Sequence, residues 1–208
     1  MIKQKIKAIA FDIGGVMAKE DNFKTHYLPL CKSLKIDEKK FFELRKKYIP
    51  KASKGRISAR TMIYSFAREL KIDKEKFLKY WIKYKRGSIK KNIVLEKYIK
   101  KMKNLGYKVV SMSGVLDLHY KLCKEKEIYD VFDFNICSFK VGSNKPEMKI
   151  YKLLLKRLRL SPNEIVFIDD TKDCLIPAKK LGIKTILFKN NKQLIKDLNR
   201  LGVDIKCQ

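Results

Sequence analysis

From residue 92 onward, short apolar runs of strand length alternate with segments whose apolar residues recur at every third or fourth position. The strand-like runs are 107–113, 134–139, 164–169 and 184–188, and the helix-like segments are 93–105, 116–126, 147–159, 173–181 and 191–201. Strands separated by helices of this length predict a parallel sheet that is covered by helices on both faces. The apolar run 6–12 adds a fifth strand. The sequence therefore predicts an α/β protein with a Rossmann-like, five-stranded parallel sheet.

The stretch between the first strand and this alternating region has a different pattern. Segments such as 59–72 place apolar residues at helical spacing, and Ser58 stands where an N-cap is expected. We therefore predict that residues 17–91 form an all-helical insert after the first strand. The predicted core is then built from residues 1–16 and 92–208.

The composition excludes several classes of protein. A chain of 208 residues that is 45% hydrophobic is long and apolar enough to bury a core, which excludes a disordered chain. No apolar run approaches the roughly 20 residues of a membrane-spanning helix, and Asp12 interrupts the apolar stretch near the start. Five cysteines without a CxxC pair and two histidines do not suggest a zinc site or a disulfide framework. We expect a cytoplasmic protein that has no membrane partner.

The formal net charge of +28 raises the question of a polyanionic partner. Of the 50 basic residues, 42 are Lys and 8 are Arg, whereas nucleic-acid sites rely more on the planar guanidinium group of Arg. The lysine excess is therefore more simply a bias of composition. Residues 17–91 have a net charge of +15 and the remainder +13, so the insert is the more basic part per residue. Binding of a nucleic acid such as RNA by the insert stays open as an alternative.

Several polar residues follow the predicted strands at their carboxyl ends, where the ligands of parallel sheets bind. They are Asp12, Ser113 with Gly114, and Asp169 with Asp170, and Lys145 lies in the loop 142–147 before a helix. Carboxylates, a lysine and a hydroxyl at one edge of a sheet suit a cation together with a phosphate group. Hard oxygen ligands favour Mg²⁺, which keeps several waters and bridges to phosphate.

The ordered set of these motifs resembles the haloacid dehalogenase (HAD) superfamily over nearly the whole chain. FDIGGV (11–16) is similar to the first motif, MSG (112–114) to the second, the Lys145-Pro146 segment to the third, and FIDDTKD with AKKLGI to the fourth. The helical insert resembles the cap of the subfamily that includes small-metabolite phosphatases and 2-haloacid dehalogenases. The segment 142–170 is most similar to members described as sugar-phosphate phosphatases.

The resemblance implies a Mg²⁺-dependent phosphatase that hydrolyses a small phosphorylated metabolite, such as a sugar phosphate, through a phospho-Asp12 intermediate. Asp12 would be the nucleophile, and Lys145 would neutralise charge on it and on the transferring group. Ser113 and the backbone amide of Gly114 would bind the phosphoryl oxygens.

The resemblance also implies a set of metal ligands. Mg²⁺ would be bound by Asp12, by Asp170 and by the backbone carbonyl of Gly14, with Asp169 nearby or in the outer shell. Many relatives carry Asn four residues after the second Asp of the fourth motif, where this chain has Cys174. This difference concerns the outer shell of the metal.

Gly14 departs from the family's phosphatases, which usually carry Asp at this position as general acid and base. Proton transfer to the leaving group is therefore in question, and a glycine here can adopt a positive φ that other residues resist. Hydrolytic 2-haloacid dehalogenases also lack that Asp, so their activity is one alternative. They need no Mg²⁺, however, and the pair Asp169 and Asp170 favours a metal and phosphate. A second alternative is a degenerate member that binds a phosphorylated or polyanionic ligand through its basic cap.

The two histidines and the one tryptophan stand outside these motifs. His26 and His119 lie in different predicted helices, and we interpret them as core or surface residues. Trp81 stands at helical spacing from neighbouring aromatic residues, which predicts a place in the core of the insert.

Overall fold

A computed structural model of the chain describes residues 5–19 and 22–205. The parts of the predicted core and insert at 1–4, 20–21 and 206–208, with Cys207, lie outside the described residues. Within the described residues, the α/β class and the five-stranded parallel sheet are confirmed. In this part of the chain, no helix is both long and apolar enough to cross a membrane.

The strands of the described residues fall into two sheets. In chain order they are β1 (Ala8–Phe11), β2 (Ala18–Lys19), β3 (Lys90–Lys91), β4 (Lys108–Ser113), β5 (Asn135–Cys137), β6 (Ile165–Asp169) and β7 (Lys184–Leu187). The larger sheet is parallel with the order β5-β4-β1-β6-β7, so β1 is its central strand. Side chains of a strand alternate between the two faces, and in β1 Ile9 and Phe11 join one apolar cluster while Ala8 and Ala10 join the other.

Helices cover both faces of this sheet, as the alternating pattern predicts. Within the described residues the α-helices are α1 (Leu28–Leu34), α2 (Glu38–Ala52), α3 (Ala59–Glu69), α4 (Lys74–Ser88), α5 (Ile93–Asn104), α6 (Asp117–Lys124), α7 (Ser138–Val141), α8 (Met148–Leu158), α9 (Lys172–Lys180) and α10 (Asn191–Arg200). Ile99 of α5 and Leu198 of α10 are fully buried on one face. Leu154 of α8 and Ala178 of α9 are fully buried on the other.

Helices α1 to α4 lie between β2 and β3 and have an apolar core of their own. Phe66 and Trp81 meet edge to face at its centre, with ring centroids 5.8 Å apart. Aromatic pairs of this geometry contribute about 0.5–1.5 kcal/mol beyond the area that they bury. The N-cap predicted at Ser58 is confirmed, because its Oγ accepts a hydrogen bond from the amide of Thr61 at 3.0 Å.

Two local differences from the sequence patterns concern the ends of elements. The helical segment contains a short antiparallel ribbon at its ends, where Ala18 of β2 pairs with Lys91 of β3. This ribbon brings the two connections to the sheet together. The strand predicted at 134–139 is shorter in the structure, because the chain turns from β5 directly into α7. At the start of α7, Ser138 Oγ accepts a hydrogen bond from the amide of Val115 at 2.9 Å.

Candidate active site

The central strand carries Asp12 directly after its last residue. Phe11 of β1 pairs with Ile168 of β6, and the amide of Asp12 donates a hydrogen bond to the carbonyl of Ile168 at 2.8 Å. Since the strands are parallel and in register, Asp12 lies between the ends of β4 and β6, at Ser113 and Asp169. The strand order thus brings the three predicted strand ends to one edge of the sheet.

Lys145 reaches this edge from the loop between α7 and α8. Its Nζ lies 2.7 Å from Oδ1 of Asp12 and 2.5 Å from Oδ2 of Asp169. The Lys145 side chain is only 5% exposed and that of Asp169 is fully buried, so the charges must be paired to be stable there. The backbone amide of Thr171 donates to Oδ1 of Asp169 at 2.9 Å. Both oxygens of Asp169 are therefore engaged.

This cluster contains more carboxylates than positive charges, and the pKa values of its residues are shifted accordingly. Burial raises the pKa of Asp12 to about 7, against the attraction of Lys145, and the charge of Asp169 adds to the increase. Burial and the charge of Asp169 also raise the pKa of Asp170 above its ordinary value. Burial opposes the charge on Lys145, but the two carboxylates outweigh it and raise the pKa of this ammonium. When all three aspartates ionise, Lys145 leaves two negative charges unbalanced, which is the charge that a divalent cation could neutralise.

The same aspartates have the geometry of a metal site. One oxygen atom from each of Asp12, Asp169 and Asp170 lies within 4.8 Å of the others, and such hard donors suit Mg²⁺. Asp12 and Asp170 are the better placed to hold a metal, since both oxygens of Asp169 already accept hydrogen bonds. Burial raises the pKa of Cys174 to about 11, so its thiol stays protonated and is a poor ligand. The residues present therefore fit Mg²⁺ bound through oxygen.

Gly15 is a residue of this site that the motifs did not single out. Its φ is +74°, and a Cβ placed on it would lie 1.9 Å from Oδ2 of Asp170. Gly15 is thus required both by its left-handed backbone and by the close approach of the carboxylate. At Gly14, in contrast, a Cβ would have no heavy atom within 4 Å, and φ is outside the left-handed region. The positive φ that the sequence suggested for Gly14 is found at Gly15 instead.

Ser113 and Gly114 lie at the end of β4, in contact with the loop that carries Lys145. Ser113 is buried, and its Oγ lies 3.2 Å from the hydroxyl of Tyr129. A Cβ on Gly114 would lie 2.3 Å from Oδ1 of Asn144, so any other residue would displace the Asn144 side chain. The same Asn144 oxygen accepts a hydrogen bond from the amide of Lys145 at 2.9 Å. Asn144 therefore links two of the predicted motifs, a role that no pattern in the sequence indicated.

A cavity of about 230 Å³ lies beside this edge of the sheet. Its core side includes Ile13, Gly14, Ser113 and Gly114. Its other side is formed by the helical segment, with His26, Tyr27, Arg45, Ser53, Trp81 and Lys85. The cavity adjoins the carboxylate cluster, because the amide of Ile13 donates to Oδ1 of Asp12 at 2.7 Å.

Polar contacts hold the helical segment against the core around this cavity. Oδ1 of Asp117 accepts a hydrogen bond from the amide of Ala59 at 2.8 Å, and Lys54 forms an ion pair with Glu147. On the exposed surface, Arg86 contacts Glu125 at 3.0 Å. Single exposed pairs of this kind contribute little, about 0–1 kcal/mol each.

The structure also places both histidines and the tryptophan at the cavity. His26 is buried, and its ring lies 4.9 Å from that of Trp81, edge to face. His119 lines the cavity from α6. The interpretation of Trp81 as a core residue is confirmed by its burial, but it is a cavity residue as well. Helical spacing identifies the buried face of a helix and not the part of that face that borders a cavity.

Two kinds of comparison relate this chain to known proteins. A family model described as haloacid dehalogenase-like hydrolase matches residues 6–182. The bifunctional epoxide hydrolase 2 of Sus scrofa is 41% identical over 80 residues, which are 38% of this chain and 14% of that protein. The chain therefore spans only a small part of the length of this curated relative.

Solved structures share the fold over most of the chain. A HAD-like family hydrolase from Porphyromonas gingivalis has a TM-score of 0.82 at 19% identity, and the match covers 96% of this chain and 99% of that one. A HAD family enzyme from Bacteroides thetaiotaomicron, in complex with magnesium and inorganic phosphate, has a TM-score of 0.73 at 23% identity, covering 88% and 94%. At these identities the likeness shows the fold alone.

Proposed function

Because the chain belongs to the haloacid dehalogenase-like hydrolases, we propose that it is a Mg²⁺-dependent phosphatase that acts on a small phosphorylated metabolite through a phospho-Asp12 intermediate. The family match bears out the resemblance of the motifs and makes the protein a hydrolase. The observation that carries the choice of phosphatase is the cluster of Asp12, Asp169 and Asp170 around the buried ammonium of Lys145. A dehalogenase does not need a metal. In such an enzyme the three carboxylates would repel one another without a function.

Attack on phosphorus is the task that we propose for Asp12. Lys145 and the amide of Ile13 both contact Oδ1 of this residue, which leaves Oδ2 as the attacking oxygen. A bond forms between Oδ2 and phosphorus while the bond from phosphorus to the leaving oxygen breaks, and that oxygen takes a proton from water. A water molecule then attacks phosphorus, which releases phosphate and restores the carboxylate of Asp12.

The neighbouring residues would bind and orient the phosphoryl group. We assign the hydroxyl of Ser113 and the amide of Gly114 as donors to its oxygens, since both lie at the strand end beside Asp12. Asp12, Asp170 and the carbonyl of Gly14 would hold Mg²⁺, which when bound supplies positive charge to the phosphoryl oxygens. Asp169 would position Lys145, because both of its oxygens are engaged within the protein.

We propose that the helical segment 17–91 acts as the cap of this site and that 1–16 with 92–208 form the catalytic core. The support is the cavity, which has walls from both parts of the chain. Its volume of about 230 Å³ suits a small metabolite such as a phosphorylated sugar. We therefore propose a small phosphorylated molecule as the partner that this cavity binds.

The experiment is the hydrolysis of p-nitrophenyl phosphate with Mg²⁺ and with a chelator, by wild type and Asp12→Asn. We expect turnover only with Mg²⁺, and a loss of more than about 10³-fold in Asp12→Asn, because an amide cannot attack phosphorus. Asp130→Asn is the matched control, since Asp130 forms an exposed ion pair with Lys124 away from the site. It should keep wild-type activity.

Three results would contradict the proposal. Activity of Asp12→Asn within tenfold of wild type would exclude Asp12 as the nucleophile. Release of halide from 2-haloacids without Mg²⁺ would identify a dehalogenase. Binding of phosphate without turnover of any phosphate ester would identify a degenerate member.

A further inference from the structure

Arg45 of α2 reaches the cavity from the helical segment. Its guanidinium carbon lies 3.9 Å above the centre of the Tyr27 ring, and one terminal nitrogen donates to the Tyr27 hydroxyl at 3.1 Å. A second ring, that of Phe42, lies 5.2 Å from the same carbon. These contacts fix the plane of the guanidinium group in a partly buried position.

This cation has no counter-charge within the part of the chain that the structure describes. Its Nε is buried and makes no hydrogen bond there, and no carboxylate there forms an ion pair with Arg45. Among the described residues that line the cavity, none is Asp or Glu. A guanidinium group is always charged, and withdrawing part of it from water without a compensating charge is costly. The arrangement therefore favours an anion in the cavity.

The phosphoryl group of the substrate does not meet this need, because Lys145 and the metal site at the sheet edge would bind it. Arg45 belongs to the opposite wall, together with the buried Lys85 and the aromatic ring of Trp81. The anion that Arg45 receives must then be carried by the part of the substrate that leaves. Aliphatic residues such as Ile49 of α2 and Leu118 of α6 also line the cavity, and they suit a short carbon skeleton.

We infer that the substrate is a phosphorylated carboxylic acid whose carboxylate is bound by Arg45. This inference rests on the proposed phosphatase function and narrows its substrate class. The planar fork of an arginine matches a carboxylate with two parallel hydrogen bonds, and Arg45 is the arginine that lines this cavity. Arg45 is thus a specificity-determining residue that does not contact the reacting atoms.

The test compares each carboxylate substrate with its own amide, which has the same size and the same phosphate group but lacks the carboxylate charge. The probes are phosphoglycolate, 3-phosphoglycerate and 4-carboxyphenyl phosphate, which place the carboxylate at increasing distances from phosphorus. For the acid of the best length, we expect wild type to show a kcat/KM at least about tenfold above that of the amide. Arg45→Gln should remove this preference, so that the acid and its amide have the same kcat/KM in this variant.

Two further variants separate binding from folding. Arg45→Lys keeps the positive charge but lacks the planar guanidinium group, so it should retain part of the preference for the acid over the amide. Arg60→Gln is the matched control, because Arg60 lies on the exposed surface of α3. It should behave as wild type. A circular dichroism spectrum and a Tm close to those of wild type would show that Arg45→Gln folds.

Binding of the products gives a readout that needs no turnover. By calorimetry, 4-hydroxybenzoate should bind wild type more tightly than 4-hydroxybenzamide, and Arg45→Gln should bind both alike. Equal kcat/KM for every acid and amide pair, or equal binding of the two products to wild type, would overturn the inference while the phosphatase proposal stands. Absence of all phosphate-ester hydrolysis would refute the proposed function instead, and the calorimetry would still decide the role of Arg45.

Discussion

Substitution of Gly14 tests most directly how protons are transferred in this site. It lines the cavity two residues after Asp12, at the position where the family's phosphatases usually carry an acidic side chain. A Cβ added there meets no heavy atom within 4 Å, and the backbone is outside the left-handed region. Gly14→Asp should therefore fold without strain. Replacing a glycine at a compatible backbone position typically stabilises a protein by about 0.4–1 kcal/mol, through the entropy of the unfolded chain.

The effect of Gly14→Asp on turnover follows from the leaving group. General acid catalysis typically contributes about 10²–10⁴-fold, which is about 3–5 kcal/mol of the barrier. This rate increase from a general acid is largest when the leaving oxygen is strongly basic. We expect kcat on a simple alkyl phosphate to rise by at least about 10²-fold, and on p-nitrophenyl phosphate by much less. Wild type, in turn, should prefer acyl, aryl or anomeric phosphates to alkyl phosphates.

Rapid-quench kinetics would test the proposed second step, in which a water molecule attacks the phosphorylated Asp12. Without a base at Gly14 this step should be slow in wild type, so p-nitrophenol should appear in a burst equal to the enzyme concentration. Gly14→Asp should reduce or abolish the burst, because its carboxylate can activate water. Gly14→Asn is the control, since the amide has the same shape but cannot exchange the proton. Gly15→Ala is the steric contrast, because its Cβ would lie 1.9 Å from Oδ2 of Asp170.

Two outcomes would refute this reasoning. If wild type shows no burst and equal rates on alkyl and aryl phosphates, another group already performs the proton transfer. His26 and His119, which line the same cavity, would be the first residues to replace. If Gly14→Asn raises kcat as much as Gly14→Asp does, the increase comes from the shape of the cavity and not from an acidic side chain.

Two further predictions concern the metal and the surface charge. Mg²⁺ at about one hundred times its Kd should stabilise the wild type by about 2.7 kcal/mol in thermal unfolding. The increase in Tm should vanish in Asp170→Asn and persist in Asp130→Asn, and an equal increase in both variants would exclude Asp170 as a ligand. In filter binding at about 150 mM salt, we expect no saturable binding of RNA, because a lysine-rich surface attracts polyanions only non-specifically. A sub-micromolar Kd there would favour a nucleic-acid partner.

The sequence alone determined the parts of this site that depend on local pattern. Apolar runs of strand length and helical periodicity identify the strands and helices, and the residues after each strand follow directly from these assignments. The pattern therefore places Asp12, Ser113 and Asp169 at strand ends without reference to any contact. The resemblance of the motifs then indicated the family. The local pattern also located Ser58, because an N-cap bonds an amide only three residues away.

Tertiary structure decided the features that depend on residues far apart in the chain. The position of β1 in the middle of the sheet gives Lys145 its two carboxylate partners, and the approach of Asp170 is what requires glycine at Gly15. Arg45 is one of 50 basic residues, and nothing in its neighbourhood along the chain distinguishes it from the rest. Its place in the cavity results from how α2 packs on the ring of Tyr27 and into the apolar core of the helical segment, since the direction of a helical side chain is set by the packing of the whole helix.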